Sequence, residues 1–177
     1  MSEQIIFSLL LGILTFDFLL ERILGFFNQK YSKQPIPEIL EGVYDEKAYA
    51  RSQAYQAEMA RLSNFSAVLS YLLTFSAIYF GWFGWIDEWV RTFSPLNMVS
   101  TLIFFGVIYV ASDVMGLPFS LYQNFVLEAK YGFNKMTTRT YILDKIKGYV
   151  LTAIVGGALL AVLIYLVTSI GSGFWIY

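Results

Sequence analysis

Four long apolar stretches constrain the fold of this chain more than any other feature. They run from about residue 5 to 27, 65 to 86, 98 to 117 and 149 to 170. A helix of about 20 apolar residues rises about 30 Å, which is the thickness of the hydrocarbon core of a bilayer. The sequence therefore predicts an all-α, polytopic membrane protein with about four transmembrane helices.

The composition agrees with that prediction and excludes several functions. Charged residues make up 14% of the 177 residues, against about 25% in a typical soluble domain. The formal net charge of −1 argues against a partner that is a nucleic acid. The chain has no His and no Cys, so it lacks the best zinc ligands, thiol nucleophiles and any Ser–His or Cys–His pair. Any chemistry that this chain performs alone would have to use carboxylates, Lys, Tyr or Ser and Thr.

Lysine and arginine are distributed unevenly between the segments that connect the spans. The inner loops 28–64 and 118–148 carry five each, whereas segment 87–97 carries only Arg91. Because short loops rich in Lys and Arg remain in the cytoplasm, we expect both long loops there and both termini outside or in the lumen. We also expect an integral membrane protein in contact with membrane lipids, in a bacterial inner membrane or in the endoplasmic reticulum or nuclear membrane. Aromatic residues typical of the outer interface are Trp82, Trp85, Trp89, Trp175 and Tyr177.

The first inner loop is predicted to begin as an extended strap and to end as a helix. Pro35 and Pro37 forbid a helix locally. Asp45 is a plausible N-cap for a helix that continues into the second span. Ala48, Tyr55 and further apolar residues share one face of that helix. The opposite face, which we expect to be solvated, carries Lys47, Arg51, Glu58 and Arg61.

The second inner loop is predicted to consist of two amphipathic helices joined by a tight turn. Residues 116–118, Gly-Leu-Pro, are expected to end the third span, because Pro disfavours a helix at the residue before it. A new helix would then run over residues 119–131 and stop at Gly132, where a left-handed conformation is least costly. Thr137 or Thr138 is expected to cap the helix that leads into the fourth span.

This second loop carries the residues at which the chain resembles a known family. Residues 117–137 read LPFSLYQNFVLEAKYGFNKMT and are similar to the segment before the fourth helix of the type 1 CAAX prenyl proteases, which are integral-membrane zinc metalloendopeptidases. The matching positions are Pro118, Tyr122, Phe125, Glu128, Gly132, Phe133, Asn134 and Thr137. A weaker similarity covers Pro37-Glu38 and residues 44–55 of the first inner loop.

The resemblance implies that residues 1–177 form the N-terminal membrane domain of such a peptidase. The family binds zinc through an H-E-x-x-H helix, in which the Glu activates water; this motif is missing because the chain has no His. We therefore expect this chain to have no catalytic, cofactor-binding or metal-binding residues and to be inert alone. We expect it to belong to a longer protein whose downstream catalytic region holds zinc. The implied role is to form part of the wall of an intramembrane chamber and to position a prenylated or membrane peptide substrate.

Ionisable residues inside the predicted spans have two open interpretations. They are Asp17, Glu21, Arg22 and Asp113. Each costs a few kcal/mol at the bilayer centre on insertion scales, which makes them candidates for function. They could line the hydrated chamber that the resemblance implies. Alternatively they could join helices, with Arg22 neutralising Glu21 or Asp17.

The alternative to a protease domain is a non-enzymatic protein with four membrane helices. Such a protein would be a scaffold, a small transporter or an assembly factor. A small multidrug-type exporter fits less well, because its loops would be short and the two inner loops here are long. The feature that separates the two hypotheses is a zinc-binding sequence downstream of residue 177.

Overall fold

The computed structural model describes residues 2–31, 45–94 and 96–170, and within these ranges the chain forms helices and no strands. Its α-helices are α1 (Glu3–Tyr31), α2 (Glu46–Tyr79), α3 (Trp82–Arg91), α4 (Asn97–Tyr122), α5 (Thr138–Leu151) and α6 (Gly157–Ile170). Two π-helical turns, Gln123–Glu128 and Thr152–Gly156, directly follow α4 and α5. The predicted all-α class is confirmed.

Four helical stretches in the described part of the chain are long and apolar enough to cross a membrane. They are Glu3–Tyr31, Lys47–Tyr79, Asn97–Glu128 and Thr138–Ser169. Large apolar side chains on these helices are exposed, among them Phe16 at 68% and Leu159 at 67%. Such a surface is unfavourable in water but is the normal one against lipid tails. The prediction of about four spans is therefore confirmed.

The helix predicted for the second span is interrupted. We expected the span to continue to residue 86, whereas α2 ends at Tyr79 and α3 starts at Trp82. Between them Gly81 has a φ of +71°, a left-handed conformation that glycine adopts without a steric penalty. The helix end was missed because the sequence on both sides of Gly81 is apolar, so hydropathy gave no sign of a turn.

The predicted helix break at residues 116–118 is wrong. Pro118 lies inside α4, and helical conformation continues through the π-helical turn to Lys130. Side chains bond to carbonyls next to the proline: the Ser120 hydroxyl donates to Leu117 O at 3.1 Å and the Asn124 amide to Ser120 O at 2.7 Å. Such bonds and a π-helical adjustment are how membrane helices tolerate proline.

The predicted helix ends near the inner loops are confirmed. The Asp45 carboxylate accepts a hydrogen bond from Lys47 N at 2.9 Å, and the Thr137 hydroxyl accepts one from Thr140 N at 3.2 Å. Gly132 has a φ of +75°. The predicted strap at Pro35 and Pro37, and the aromatic residues Trp175 and Tyr177, lie outside the described residues.

The chain divides into two compact units. The first contains α1, α2 and the segment Gly116–Asn134, and the second contains Phe83–Met115 and the residues from Lys135 onward. In the second unit, Val90 of α3 is completely buried, and the hydroxyl of Ser100 donates to Ser94 O at 2.7 Å. This bond holds the first turn of α4 against the segment before it.

Within the first unit, α1 and α2 form an antiparallel pair with a constant register. The ring of Phe7 lies 6.4 Å from that of Tyr79, and the Thr15 and Tyr71 hydroxyls are 3.0 Å apart. Further along, Arg22 donates to Asn64 at 2.5 Å. The pair is therefore joined by aromatic and hydroxyl contacts along its apolar half and by amide and guanidinium groups where α2 becomes polar.

Candidate functional site

The elbow, residues 128–134, is a sharp turn closed by its own backbone. Gly132 N donates to Ala129 O at 3.1 Å, and Glu128 O accepts from Phe133 N at 2.9 Å and from Asn134 N at 3.3 Å. These bonds satisfy carbonyls that a helix end otherwise leaves unpaired. The turn requires a left-handed conformation at residue 132, which explains why the motif has glycine at this position.

Arg51 of α2 holds this turn from outside. Its Nη2 donates to Tyr131 O at 2.6 Å. A methyl group placed on Gly132 would lie 3.4 Å from the same Nη2, at the short limit of an ordinary van der Waals contact. The positive φ of Gly132, more than the space beside Arg51, is therefore what requires glycine here.

Glu58 of α2 binds the elbow on the other side of Tyr131. Its carboxylate accepts from Lys130 Nζ at 2.5 Å and from the Tyr131 hydroxyl at 3.1 Å. Tyr131 is only 8% exposed. The hydrogen bond from Lys130 to Glu58 raises the pKa of the Lys130 ammonium above its usual value. The main chain and the hydroxyl of Tyr131 are thus both bonded to α2.

Tyr55 lies between these two polar contacts. Its ring meets those of Tyr131 and Phe133 edge to face, with centroids 5.3 and 5.0 Å apart, a favourable geometry for aromatic pairs. Residues 51, 55 and 58 are four and three positions apart, so they share one face of α2. We call Arg51, Tyr55 and Glu58 the α2 clamp. The prediction that Tyr55 lies on the opposite face from Arg51 and Glu58 is wrong, because all three contact the elbow. Arg51 is nevertheless exposed and Glu58 partly exposed.

The structure brings together four of the eight motif residues. Glu128, Gly132, Phe133 and Asn134 meet in the elbow through the backbone bonds given above, and the Glu128 carboxylate also accepts from Gln123 Nε2 at 3.3 Å. The remaining motif residues lie elsewhere on the chain: Pro118 and Tyr122 in α4, Phe125 in the π-helical turn, and Thr137 as the cap of α5.

The charges in the first predicted span do not form one cluster in the structure. Asp17 and Glu21 are exposed on α1, and Arg22 is partly buried. Arg22 Nη2 lies 3.5 Å from the Glu21 carboxylate, and Nη1 donates to Asn64. Arg22 therefore joins α1 to α2, as in the second of the two interpretations.

Asp113 of the third span has partners in the second unit. Its carboxylate accepts from Lys145 Nζ and from the Tyr149 hydroxyl. Nearby, Tyr109 and Thr152 are linked at 3.3 Å between their hydroxyls. A carboxylate in a membrane span is thus neutralised by a lysine and bound by a phenol, which lowers the cost of its burial.

Sequence reasoning missed Lys145, Tyr149 and the α2 clamp. Lys145 and Tyr149 are one helical turn apart on the helix that enters the fourth span, so a signal was present: a carboxylate in one span and a cation at the edge of another. For the clamp, the spacing of Arg51, Tyr55 and Glu58 was visible, but charge alone assigned two of them to solvent.

The described residues do not fit a zinc ion. The chain has no His or Cys, and in the described ranges no three Asp or Glu side chains converge to form a possible metal site. The described side chains therefore offer no site for a zinc ion. The features that remain are a helical membrane domain, an elbow closed by glycine and a helix that clamps it.

These features define a class of polytopic membrane protein, and the chain matches a family within it. Residues 27–177 match the family described as CAAX prenyl protease N-terminal, five membrane helices. The chain belongs to this family, as the resemblance at residues 117–137 predicts. The family description counts five membrane helices, whereas four stretches of the described chain qualify by length and hydropathy.

Individual relatives agree with the family. The chain is 34% identical over 144 residues to CAAX prenyl protease 1 of Saccharomyces cerevisiae, covering 75% of this chain and 31% of the relative. It is 32% identical over 149 residues to the CAAX prenyl protease 1 homolog of Oryza sativa subsp. japonica, covering 80% and 35%. The chain thus spans about a third of the length of the curated relatives that it matches.

A solved structure has the same fold. The crystal structure of S. mikatae Ste24p superposes with a TM-score of 0.85 and 28% sequence identity, over 95% of this chain and 41% of that chain. The fold similarity therefore extends over nearly all of the present chain.

Proposed function

We propose that this chain is the part of a CAAX prenyl protease-like zinc metalloendopeptidase that forms some of the wall of an intramembrane chamber. In this role it positions a prenylated or membrane peptide for a metal site supplied by a catalytic region outside residues 1–177. Alone, the chain does not hydrolyse peptides. The observation that carries the proposal is the TM-score of 0.85 to Ste24p over 95% of the chain.

The elbow and the α2 clamp support a positioning role. Two bonds from α2, at Tyr131 O and at the Tyr131 hydroxyl, fix the direction in which the chain leaves the π-helical turn. A wall that holds a flexible peptide must itself keep its shape, since each mobile element adds to the entropy lost on binding. We assign the motif residues Gly132, Phe133 and Asn134 to keeping this shape.

The polar groups within the spans support a hydrated chamber. Asp17 and Glu21 are exposed on α1, and membrane-embedded carboxylates that are not buried by protein favour contact with water. In the proposal these two carboxylates border the water-filled space. Both long inner loops lie in the cytoplasm, as their Lys and Arg content indicates.

A cleavage assay tests the proposal. The protein is expressed from its complete gene, purified in detergent and incubated with a farnesylated CAAX peptide or with the same peptide unprenylated. We expect release of the C-terminal tripeptide from the farnesylated peptide only, abolished by a zinc chelator and restored by added zinc.

The same assay run with residues 1–177 alone tests the division of labour. No product is expected from this chain, which has no His and therefore no H-E-x-x-H motif. Cleavage by residues 1–177 alone would contradict the proposed role, as would a complete gene product that folds, inserts into membranes and leaves both peptides intact. The second result would favour a non-enzymatic scaffold.

A further inference from the structure

The helix α3 carries its apolar side chains on one side, and its own protein covers only part of that side. At about 100° per residue, one arc of the helix holds in turn Trp85, Trp89, Ile86, Val90 and Phe83. Toward one edge of this arc Val90 is completely buried. At the other edge Trp85 and Trp89 are 65% and 53% exposed.

Phe93 extends the exposed edge just beyond the end of α3. Its ring meets that of Trp89 edge to face, with the centroids 4.8 Å apart, and its side chain is also largely exposed. We call Trp85, Trp89 and Phe93 the aromatic stripe. Three large exposed rings on one edge form an apolar surface that is unfavourable in water.

The opposite side of α3 is charged. Arg91 Nε donates to Asp87 Oδ2 at 2.7 Å, and both side chains are about half exposed. Glu88 is exposed on the same side. With two acidic groups and one basic group, this side suits water and has no excess of positive charge that would attract anionic lipids. The helix is therefore amphipathic, and its affinity for a membrane rests on the aromatic stripe.

The position of α3 indicates which partner covers the stripe. A helix of 10 residues is about 15 Å long, half the thickness of the hydrocarbon core, so α3 cannot cross a bilayer. It is held at the start of α4, a candidate membrane span, where Arg91 Nη1 donates to Asn97 Oδ1 at 3.4 Å. The apolar residues Leu96 and Met98 at this point are exposed too. The stripe is thus continuous with the surface of α4 that faces lipid.

We propose that α3 lies along the membrane surface as an interfacial helix, with the aromatic stripe inserted between the head groups and the upper acyl chains of one leaflet. Indole rings favour this level of a bilayer, because one part of the ring is apolar and the N–H remains hydrated. The helix then fixes the depth at which the third span begins. This inference does not depend on the protease proposal, because it concerns contact with lipid and not with a peptide.

Photolabelling from lipids of known depth tests the proposal. The protein expressed from its complete gene is placed in phosphatidylcholine nanodiscs that contain a phosphatidylcholine with a diazirine either next to its ester group or at the end of its acyl chain. Mass spectrometry then maps the label. We expect Trp85 and Trp89 to receive at least threefold more label from the shallow diazirine than from the deep one.

Phe105 of α4 is the internal control. It is 49% exposed and lies eight residues beyond Asn97, about 12 Å deeper along the helix, so it should prefer the deep diazirine. Absence of label on Trp85 and Trp89 from both lipids would overturn the proposal and assign the stripe to a protein partner. Equal label from the two lipids would also overturn it.

A pair of variants tests whether the stripe holds α3 at the membrane. In the same nanodiscs, Trp85→Gln combined with Trp89→Gln should speed hydrogen exchange over residues 82–91 at least fivefold. Glu88→Gln, on the charged side, is the matched control and should change that exchange less than twofold. Unchanged exchange in α5 shows that the double variant is folded. A folded double variant with the exchange of the parent over residues 82–91 would contradict the proposal.

Discussion

Two places in this protein join distant parts of the chain through a cation, and they do so in different ways. In the α2 clamp, Arg51 donates to a main-chain oxygen 80 positions away. In the Asp113 cluster, Lys145 pairs with a carboxylate 32 positions away inside a candidate membrane span. The clamp fixes the shape of a turn, whereas the cluster neutralises a charge.

The difference shows how environment decides what a charged contact contributes. A carbonyl in a closed turn is fixed in direction and carries no charge, so losing Arg51 leaves a neutral acceptor that water can satisfy. Asp113 carries a charge in an apolar segment, so losing Lys145 leaves that charge without its counter-ion. We therefore expect the Asp113 cluster to be more sensitive to substitution than the clamp.

The largest expected effect is that of Lys145→Met. The change leaves Asp113 with the Tyr149 hydroxyl alone and should lower the free energy of unfolding by on the order of 2 kcal/mol, since both charged side chains are about a quarter exposed (28% and 23%). Thermal unfolding in detergent, followed by tryptophan fluorescence, measures it. The double variant Lys145→Met with Asp113→Asn should regain most of the loss.

The matched control for this prediction is Lys147→Met. Lys147 is 76% exposed and 3.5 Å from Asp144, so its removal should change stability by less than about 0.5 kcal/mol. Equal effects of the two lysine substitutions would show that Asp113 is not neutralised by Lys145.

Next in size is Gly132→Ala at the elbow. A side chain in the left-handed region costs roughly 1–2 kcal/mol, and its methyl group would approach Arg51 Nη2 at 3.4 Å. Gly148→Ala is the control, because Gly148 is helical with nothing within 4 Å of the added carbon, so this change should be neutral or slightly stabilising. A Gly132→Ala protein as stable as the parent would contradict the geometry of the elbow.

A smaller loss is expected for Arg51→Gln. This variant shortens the side chain, removes the hydrogen bond to Tyr131 O and should cost about 1 kcal/mol. Hydrogen exchange read by mass spectrometry should show faster exchange over residues 128–134 and little change in α6. Unchanged protection of the elbow would mean that the bond does not hold the turn in solution.

The smallest expected effect is a pH dependence of the stability that Lys130 contributes. The bond to Glu58 raises the pKa of Lys130, so its contribution is complete below the ordinary lysine pKa of about 10.4 and is lost as the pH rises through the higher folded value. The difference in midpoint temperature between the parent and Lys130→Met should therefore be constant from pH 7 to 9 and shrink above pH 10. Lys135→Met provides the control, and a difference that grew with pH would contradict the assignment.

Sequence alone predicted the class of fold, because a membrane span is identified by its length and apolar composition and does not depend on the details of packing. It also predicted the caps at Asp45 and Thr137 and the turn at Gly132, which depend on chemistry within a few residues. It failed at Gly81, where a glycine ends a helix inside an apolar run. It also failed at Pro118, where the helix continues through the proline beside Ser120, Asn124 and a π-helical turn.

The contacts of the candidate site could be predicted only in part. The motif indicated that the elbow is important, and Asp113 stood out as a charge in a span. The partners of the elbow and of Asp113 did not stand out. Arg51, Glu58 and Lys145 come from other segments and look like ordinary surface charges in the sequence. Only the folded chain brings each of them to its acceptor.

The most direct test of the central claim is photo-crosslinking with a prenylated peptide. A farnesylated CAAX peptide with a benzophenone in its prenyl chain is irradiated with the protein expressed from its complete gene, and the labelled residues are mapped by mass spectrometry. The account predicts labels on the membrane helices within residues 1–177, suppressed by unlabelled farnesylated peptide and not by its unprenylated twin. Labels confined to other parts of the protein, or labels that the farnesylated competitor does not suppress, would contradict it.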